Sequence, residues 1–241
     1  MSALQLFHTC LINEFFPSVG FAVVRVLEQL GFRVNIPLRQ TCCGQPAFNG
    51  GFHDDARAAA RHTIEVLEGS PGAVVIPSGS CADMLIHQYP VLFAGDERWR
   101  VRADAVAARC QEFSAFAAAH VHRPLGEVQA TVAYHPSCHL ARGLGIDREP
   151  RAVMEAIAGV DLRHVHADDE CCGFGGLFAI KHADISARML ERKIASVCAS
   201  GADRLVSCDM GCLLHISGGL RRRGIGLKVQ HLAELADEAM E

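Results

Sequence analysis

Two short stretches of this 241-residue chain hold residues that could do chemistry: Thr41-Cys42-Cys43-Gly44-Gln45-Pro46-Ala47 and Glu170-Cys171-Cys172-Gly173-Phe174-Gly175-Gly176. Adjacent cysteines cannot close an ordinary disulfide on each other, because the geometry is too strained. They can present two thiolates to a metal centre from one tight turn. The glycine that follows lets the backbone pass close to whatever the thiolates hold. One Cys-Cys-Gly is weak evidence; two, each followed by a loop and a helical pattern, indicate a duplicated site.

The other cysteines extend the duplication. Cys138 follows Cys10 by 128 residues, Cys171 and Cys172 follow Cys42 and Cys43 by 129, and Cys212 follows Cys81 by 131. Each half therefore offers four thiols in register: Cys10, Cys42, Cys43 and Cys81, then Cys138, Cys171, Cys172 and Cys212. Four thiolates suit zinc or an iron–sulfur cluster, both of which take soft sulfur donors. Zinc sites usually gather their cysteines as two close pairs separated by a loop. Here a lone cysteine precedes an adjacent pair by about thirty residues, and the fourth lies further on. That spread favours a larger cofactor gripped from three loops, an iron–sulfur cluster, over zinc, with buried structural cysteines third. Gly44, Gly50, Gly51, Gly173, Gly175 and Gly176 would let backbone amides approach inorganic sulfide, and such hydrogen bonds raise a cluster's potential.

The elements that must position these thiols also repeat. Leu4 to Phe7 reads as a strand ending at Cys10, and Val19 to Leu30 as a helix started by Pro17 and Ser18 and stopped at Gly31. Arg33 to Leu38 alternates like a strand and delivers the chain to Cys42. Asp54 to Glu68 reads as an amphipathic helix, and Ala73 to Ile76 as a buried parallel strand before Cys81. Met84 to Phe93 and Trp99 to Ala119 read as two helices. The pattern then restarts, with strands at Ala130–Tyr134, Val160–Val165, Arg204–Val206 and Leu227–Val229. Helices are predicted at Pro150–Ile157, Ala183–Ala199 and Leu232–Met240. The fold class expected is α/β, two similar Rossmann-like βαβ lobes from an internal duplication with mainly parallel strands. The lobes are expected at residues 1–125 and 126–241. In open α/β sheets, sites form beyond the carboxyl ends of the strands, where all eight cysteines fall.

Composition narrows the function classes. Half of the chain is hydrophobic and 21% is charged, as in a globular protein. A net charge of −4 argues against a general nucleic-acid or anionic-membrane binder. No run reaches the ~20 apolar residues that span a bilayer, and Met1 to Cys10 lacks a basic region and cleavage site. The expectation is a cytoplasmic protein. Eleven cysteines in a reducing compartment point to metal or redox chemistry rather than a disulfide framework.

The twofold Cys…Cys-Cys-Gly…Cys pattern resembles the cysteine-rich domain shared by heterodisulfide reductase and the iron–sulfur subunits of glycolate oxidase and anaerobic glycerol-3-phosphate dehydrogenase. The stretches Phe7-His8-Thr9-Cys10-Leu11, Phe15-Phe16-Pro17-Ser18-Val19-Gly20, Gln40 to Asn49 and His135-Pro136-Ser137-Cys138-His139-Leu140 are similar to the lactate utilization protein A family. That resemblance covers essentially the whole chain. It implies an iron–sulfur electron-transfer subunit of a complex oxidising L-lactate to pyruvate, inactive alone. Its implied partners are a ferredoxin-like lactate utilization protein B and a protein C. The chain departs from the heterodisulfide-reductase pattern at the first member of each terminal Cys-x-x-Cys, which is Ser78 in one half and Asp209 in the other. A four-thiolate 4Fe–4S cluster in each lobe, or one that also takes an oxygen from Asp209, is expected in place of a five-thiolate noncubane cluster.

Other residues compete for attention. Cys208 lies opposite Pro77 when the halves are aligned, and is a weaker candidate for cofactor contact. Cys110 and Cys198 sit in helical patterns and read as core packing. His8, His135 and His139 flank candidate ligands and could tune a cluster or move protons, or be ordinary loop histidines. Arg142, Arg148 and Arg151 could bind a carboxylate, with surface ion pairs the stronger reading. Asp168-Asp169-Glu170 could steer a partner or form a solvated turn. Arg221-Arg222-Arg223 reads as a helix C-terminus. Gly173 to Gly176 does not form a dinucleotide fingerprint, so a hydride acceptor must come from elsewhere.

Overall fold

A computed structural model describes residues 2–241. Strands β1 (Ala3–Leu6), β2 (Arg33–Asn35), β3 (Val74–Ile76) and β4 (Cys110–Glu112) form one sheet in the order β2-β1-β3-β4. Strands β5 (Gly126–Tyr134), β6 (Ile157–Arg163), β7 (Arg204–Ser207) and β8 (Lys228–His231) form a second in the order β6-β5-β7-β8. All pairings are parallel. The two sheets thus have the same order, and in each the direction of strand addition reverses between the first strand and the third. That is where an open parallel sheet leaves a crevice at its carboxyl ends.

The first half carries helices α1 (Cys10–Phe15), α2 (Pro17–Gln29), α3 (Gln45–Asn49), α4 (His53–Glu68), α5 (Gly79–Asp83), α6 (Tyr89–Leu92), α7 (Glu97–Ala107) and α8 (Phe113–His120). The second carries α9 (Arg148–Glu155), α10 (Phe178–Lys181), α11 (Ala183–Ala199), α12 (Met210–Arg222) and α13 (Leu232–Met240). Met84–Gln88 and His139–Gly143 are π-helical turns. No described helix is long and apolar enough to cross a membrane.

Sequence causes these elements directly. Pro17 occupies the first turn of α2, where its missing N–H costs nothing. Val19, Val23, Val26 and Leu27 recur at helical spacing and are buried. Gly31 follows the helix at φ 92°, the left-handed stop. Leu4 and Leu6 of β1 point to one face, and Gln5 and, just beyond the strand, Phe7 to the other. Leu4 and Leu6 join a core that continues through α2 and α8 into the second half, to Val132, Leu205, Leu232 and Leu235. Arg25 of α2 ion-pairs with Asp237 of α13 across this junction. The halves therefore share a hydrophobic core. Losing one of its large side chains, as in Leu27→Ala, would cost about 2–5 kcal/mol. The opposite face of the first sheet has its own core, with Phe7, Val74 and Ile76 under α4 and α7.

Three expectations need correction. Trp99 to Ala119 is not one helix: Cys110–Glu112 forms β4 between α7 and α8. Helix propensity in the flanking alanines masks three residues whose state is set by pairing with β3. Cys110 is accordingly a buried strand residue, and Cys198 is exposed rather than core. The second strand also stops at Asn35, short of Leu38, which is exposed.

Candidate metal centre

Each candidate cysteine sits where a parallel strand has just ended. Cys10 opens α1 beyond β1, and Cys42 and Cys43 form the turn after β2. Cys81 lies in the first turn of α5 beyond β3. Cys138 follows β5, Cys171 and Cys172 follow β6, and Cys212 lies in the first turn of α12 beyond β7. The sheets face each other so that all eight line one cavity of about 170 Å³, between the carboxyl ends of both.

Within it the thiols remain two groups of four. Cys43 Sγ and Cys81 Sγ are 3.4 Å apart, and Cys138 Sγ and Cys171 Sγ are 4.0 Å apart. All eleven cysteines are free thiols. Cys42 and Cys171 are the acidic members. Thiol donors from Cys10 and Cys43 hold Cys42 well below the ordinary thiol value, and Cys138 and Cys172 do the same for Cys171. The same contacts, with burial, push Cys10, Cys43, Cys138 and Cys172 up. The amides of Gly44 and Gly173 donate to these two acidic sulfurs at 3.4 Å in both halves. Phe174 N–H adds a donor to Cys172 at 3.5 Å. A cradle of convergent soft donors backed by amide N–H groups fits an iron–sulfur cluster or zinc.

The turns are held from behind. Tyr89 donates its hydroxyl to the Cys43 carbonyl at 2.9 Å, and Gln40 ties the β1 end to its own loop through Leu6 O at 2.8 Å. In the second half, Ser186 donates to the Gly173 carbonyl at 2.8 Å. Buried Lys193 donates to the carbonyls of Ala167 and Asp168 at 3.1 and 2.9 Å.

Asp209 takes a structural position. One carboxylate oxygen accepts from Gly211 N–H at 3.0 Å, capping α12. The other accepts from Ser80 N–H at 2.9 Å and Ser78 hydroxyl at 3.1 Å in the other half. Ser78 likewise caps α5, accepting from Cys81 N–H. Both positions that depart from Cys-x-x-Cys are therefore helix caps. Their Ser and Asp identities were a readable signal for this role. A second bridge joins Asp83 of α5 to His139, whose Nδ1 donates at 2.7 Å, while His87 donates at 2.9 Å. That pairing holds the His139 pKa above its ordinary value. The loops after the two Cys-Cys-Gly turns also meet, with Lys181 Nζ 5.2 Å from the Phe52 ring centroid.

His135 is fully buried, and burial pushes its pKa down to about 3, so the ring is neutral. His8 Nδ1 lies 3.3 Å from its neighbour's carbonyl, Thr9 O. Arg151 pairs with Asp147 and Asp168, and Glu170 with Arg192, as surface ion pairs. Cys208 is buried away from the cavity wall, beside Ser114 and Tyr134. Arg221 and Arg222 close α12.

Residues 4–86 and 132–217 each match the cysteine-rich domain termed CCG, one copy per sheet. Over 247 aligned residues the chain is 41% identical to lactate utilization protein A of Exiguobacterium sp., spanning 100% of this chain and 99% of that one. The chain belongs to the lactate utilization protein A family. A member from Bacillus cereus, lactate utilization protein A 2, is 40% identical over 96% of both chains. One from Bacillus anthracis, lactate utilization protein A 1, is 41% identical over 96% of both. The fold of this family member is also similar to that of a hypothetical protein from Helicobacter pylori, with a TM-score of 0.69 at 11% identity. That match covers 99% of this chain, which spans about half (49%) of the other.

Proposed function

We propose that this chain is an iron–sulfur electron-transfer subunit of a multi-subunit oxidoreductase that converts L-lactate to pyruvate in the cytoplasm. Residues 1–125 and 126–241 would be the two duplicated lobes, each carrying one 4Fe–4S cluster. Cys10, Cys42, Cys43 and Cys81 would hold the first, and Cys138, Cys171, Cys172 and Cys212 the second. The observation that carries this reading is the pair of four-thiol groups, equivalent in the repeat, facing one cavity. When bound, the clusters supply one-electron relay chemistry. The chain itself positions the thiolates and donates amide hydrogen bonds to sulfur. The relatives' name motivates the substrate, and the absence of a hydride-acceptor motif motivates partners of the lactate utilization protein B and C kinds. The chain alone would then not turn over lactate.

Anaerobic purification with iron and acid-labile sulfide analysis tests the cofactor. Dithionite-reduced electron paramagnetic resonance tests its redox activity, and lactate-driven reduction in the assembled complex tests the substrate. Iron and sulfide near four each per lobe, reduced by lactate only with partners present, is the expected result. Stoichiometric zinc without sulfide, persisting through cluster reconstitution, would overturn it. That zinc-stabilised module is the second reading. It is favoured by the 3.4 and 4.0 Å sulfur separations, which bracket the ~3.8 Å ligand spacing of a tetrahedral zinc–sulfur site.

A further inference from the structure

The two groups of cysteines sit in different electrostatic surroundings. Lys193 of α11 is 1% exposed. Its Nζ donates to the carbonyls of Ala167 and Asp168 at 3.1 and 2.9 Å, in the segment that leads into Cys171 and Cys172. These partners are backbone carbonyls rather than a carboxylate, so they hold the side chain without cancelling its charge. Helix α4 is the counterpart of α11 in the first half, and the residue 130 positions earlier is Thr63, equally buried and neutral. The first Cys-Cys turn is instead approached from α4 by His62, whose Nε2 lies 2.6 Å from Arg39 O at the surface. A buried cation thus stands behind the second group of thiols at a place where the first group has none.

Burial lowers the pKa of Lys193, while Asp168, Glu170 and the two carbonyl acceptors favour its charged form. The charge is felt by the thiols of Cys172 and Cys212. An electron added to a metal centre makes it more negative, and a buried positive charge stabilises that state because little solvent screens it. The other charges near the two groups do not reverse this. Asp209 accepts from Ser80 of the first half and Gly211 of the second, and so acts on both. Asp83 is likewise shared, pairing with His139 across the junction and with His87. Asp168, Asp169 and Glu170 precede the second cysteine pair and Arg39 precedes the first, but none of the four is buried. Asp168 and Glu170 are also paired with Arg151 and Arg192. Water and salt screen such charges far more than they screen Lys193.

We propose that Lys193 raises the reduction potential of the second centre above that of the first, so that the centre held by Cys138, Cys171, Cys172 and Cys212 takes the first electron. This rests on the iron–sulfur reading of the site. Lys193 acts through its field and not as a ligand. It gives a duplicated pair of thiol groups a direction, with the second half as the lower-energy seat for an electron.

The test uses the full-length chain reconstituted anaerobically with iron and sulfide, titrated with dithionite and followed by electron paramagnetic resonance. Cys171→Ser leaves the first centre and Cys42→Ser leaves the second, which assigns a potential to each. The second is expected to be the higher. Lys193→Met removes the charge and keeps an apolar stem. It should weaken reduction of the second centre about tenfold, which is about 59 mV for one electron, and leave the first unchanged. Lys193→Arg keeps the charge and should keep the order. A merely structural role would change the amount of cluster bound without moving the potential of what remains. Loaded Lys193→Met with the wild-type potential at its second centre overturns the inference. So does a second centre at or below the first in the single-centre variants, a comparison that stands even where Lys193→Met assembles no second centre. Protein that takes up neither iron nor sulfide overturns the cluster reading itself, and this inference with it.

Discussion

Ser78 donates its hydroxyl to Asp209 across the two halves, at 3.1 Å, and each of the two residues caps the helix that carries the fourth candidate thiol of its own half. With the Ser80 amide on the same oxygen, this contact ties α5 to α12, the helices that carry Cys81 and Cys212. Asp209 is 4% exposed and has both oxygens engaged. Asp209→Ala removes a cap and a charged acceptor for two donors in the other half. The expected loss in urea unfolding of the metal-free chain is about 2–4 kcal/mol, against about 1 kcal/mol for Ser78→Ala. A double-mutant cycle should return a coupling of roughly 1 kcal/mol. Strict additivity would mean that the bridge contributes nothing.

Gly44 and Gly173 occupy equivalent left-handed positions, at φ 86° and 91°. A side chain on Gly44 would come 3.2 Å from Ala59 Cβ, whereas one on Gly173 would meet the Ser186 carbonyl at 2.7 Å. Left-handed backbone costs an alanine about 1–2 kcal/mol in either place. Gly173→Ala must in addition push α11 away from the Cys171 turn. Its stability loss should therefore exceed that of Gly44→Ala by about 1 kcal/mol or more. Equal melting temperatures for the two variants would contradict this.

Much of this arrangement is legible in the chain because the fold is local and repeated. Strand residues such as Val74 and Val206 and the helix Ala183–Ala199 follow from short-range pattern. The cysteine register reveals the repeat. What pattern cannot supply is long-range. Cys110–Glu112 is a strand only because β3 lies beside it. The cavity needs both halves, whose shared core and the packing of α2 on α13 bring the carboxyl ends of the two sheets together. By spacing alone, His135 is one of three histidines flanking candidate ligands. Its depth distinguishes it from His139, which is tied to Asp83.

Because all eight thiols line one cavity, substitution distinguishes two centres from one. Serine lacks a soft, readily ionised donor. Cys42→Ser is expected to remove about half of the iron and of the visible absorbance of reconstituted protein, Cys171→Ser the other half, and the pair of changes nearly all. A single cluster shared by both halves would instead vanish with either substitution. Retention of full iron in Cys42→Ser would overturn its assignment as a ligand.

Glu112 gives the fold a pH dependence separate from the metal site. It ends β4, is 1% exposed, and one oxygen accepts from the backbone N–H groups of Ser114 and Ala115 and from the Ser114 hydroxyl, while the other has no partner. Burial pushes its carboxyl up from 4.5 to about 7. Between those values the unfolded carboxyl has lost its proton and the folded one keeps it. Stability then falls as pH rises through the window, by about 3 kcal/mol in all. His135 and His231, held down to about 3 and about 4 by burial, act oppositely, removing stability as pH falls below about 6.5. Glu112→Gln keeps an acceptor for Ser114 and cannot ionise, while leaving both histidines in place. Its stability should match the wild-type chain at about pH 5 and exceed it by about 2–3 kcal/mol at about pH 8, read by urea unfolding without metal. A difference that does not change between the two pH values would mean that Glu112 ionises in the fold as it does in water.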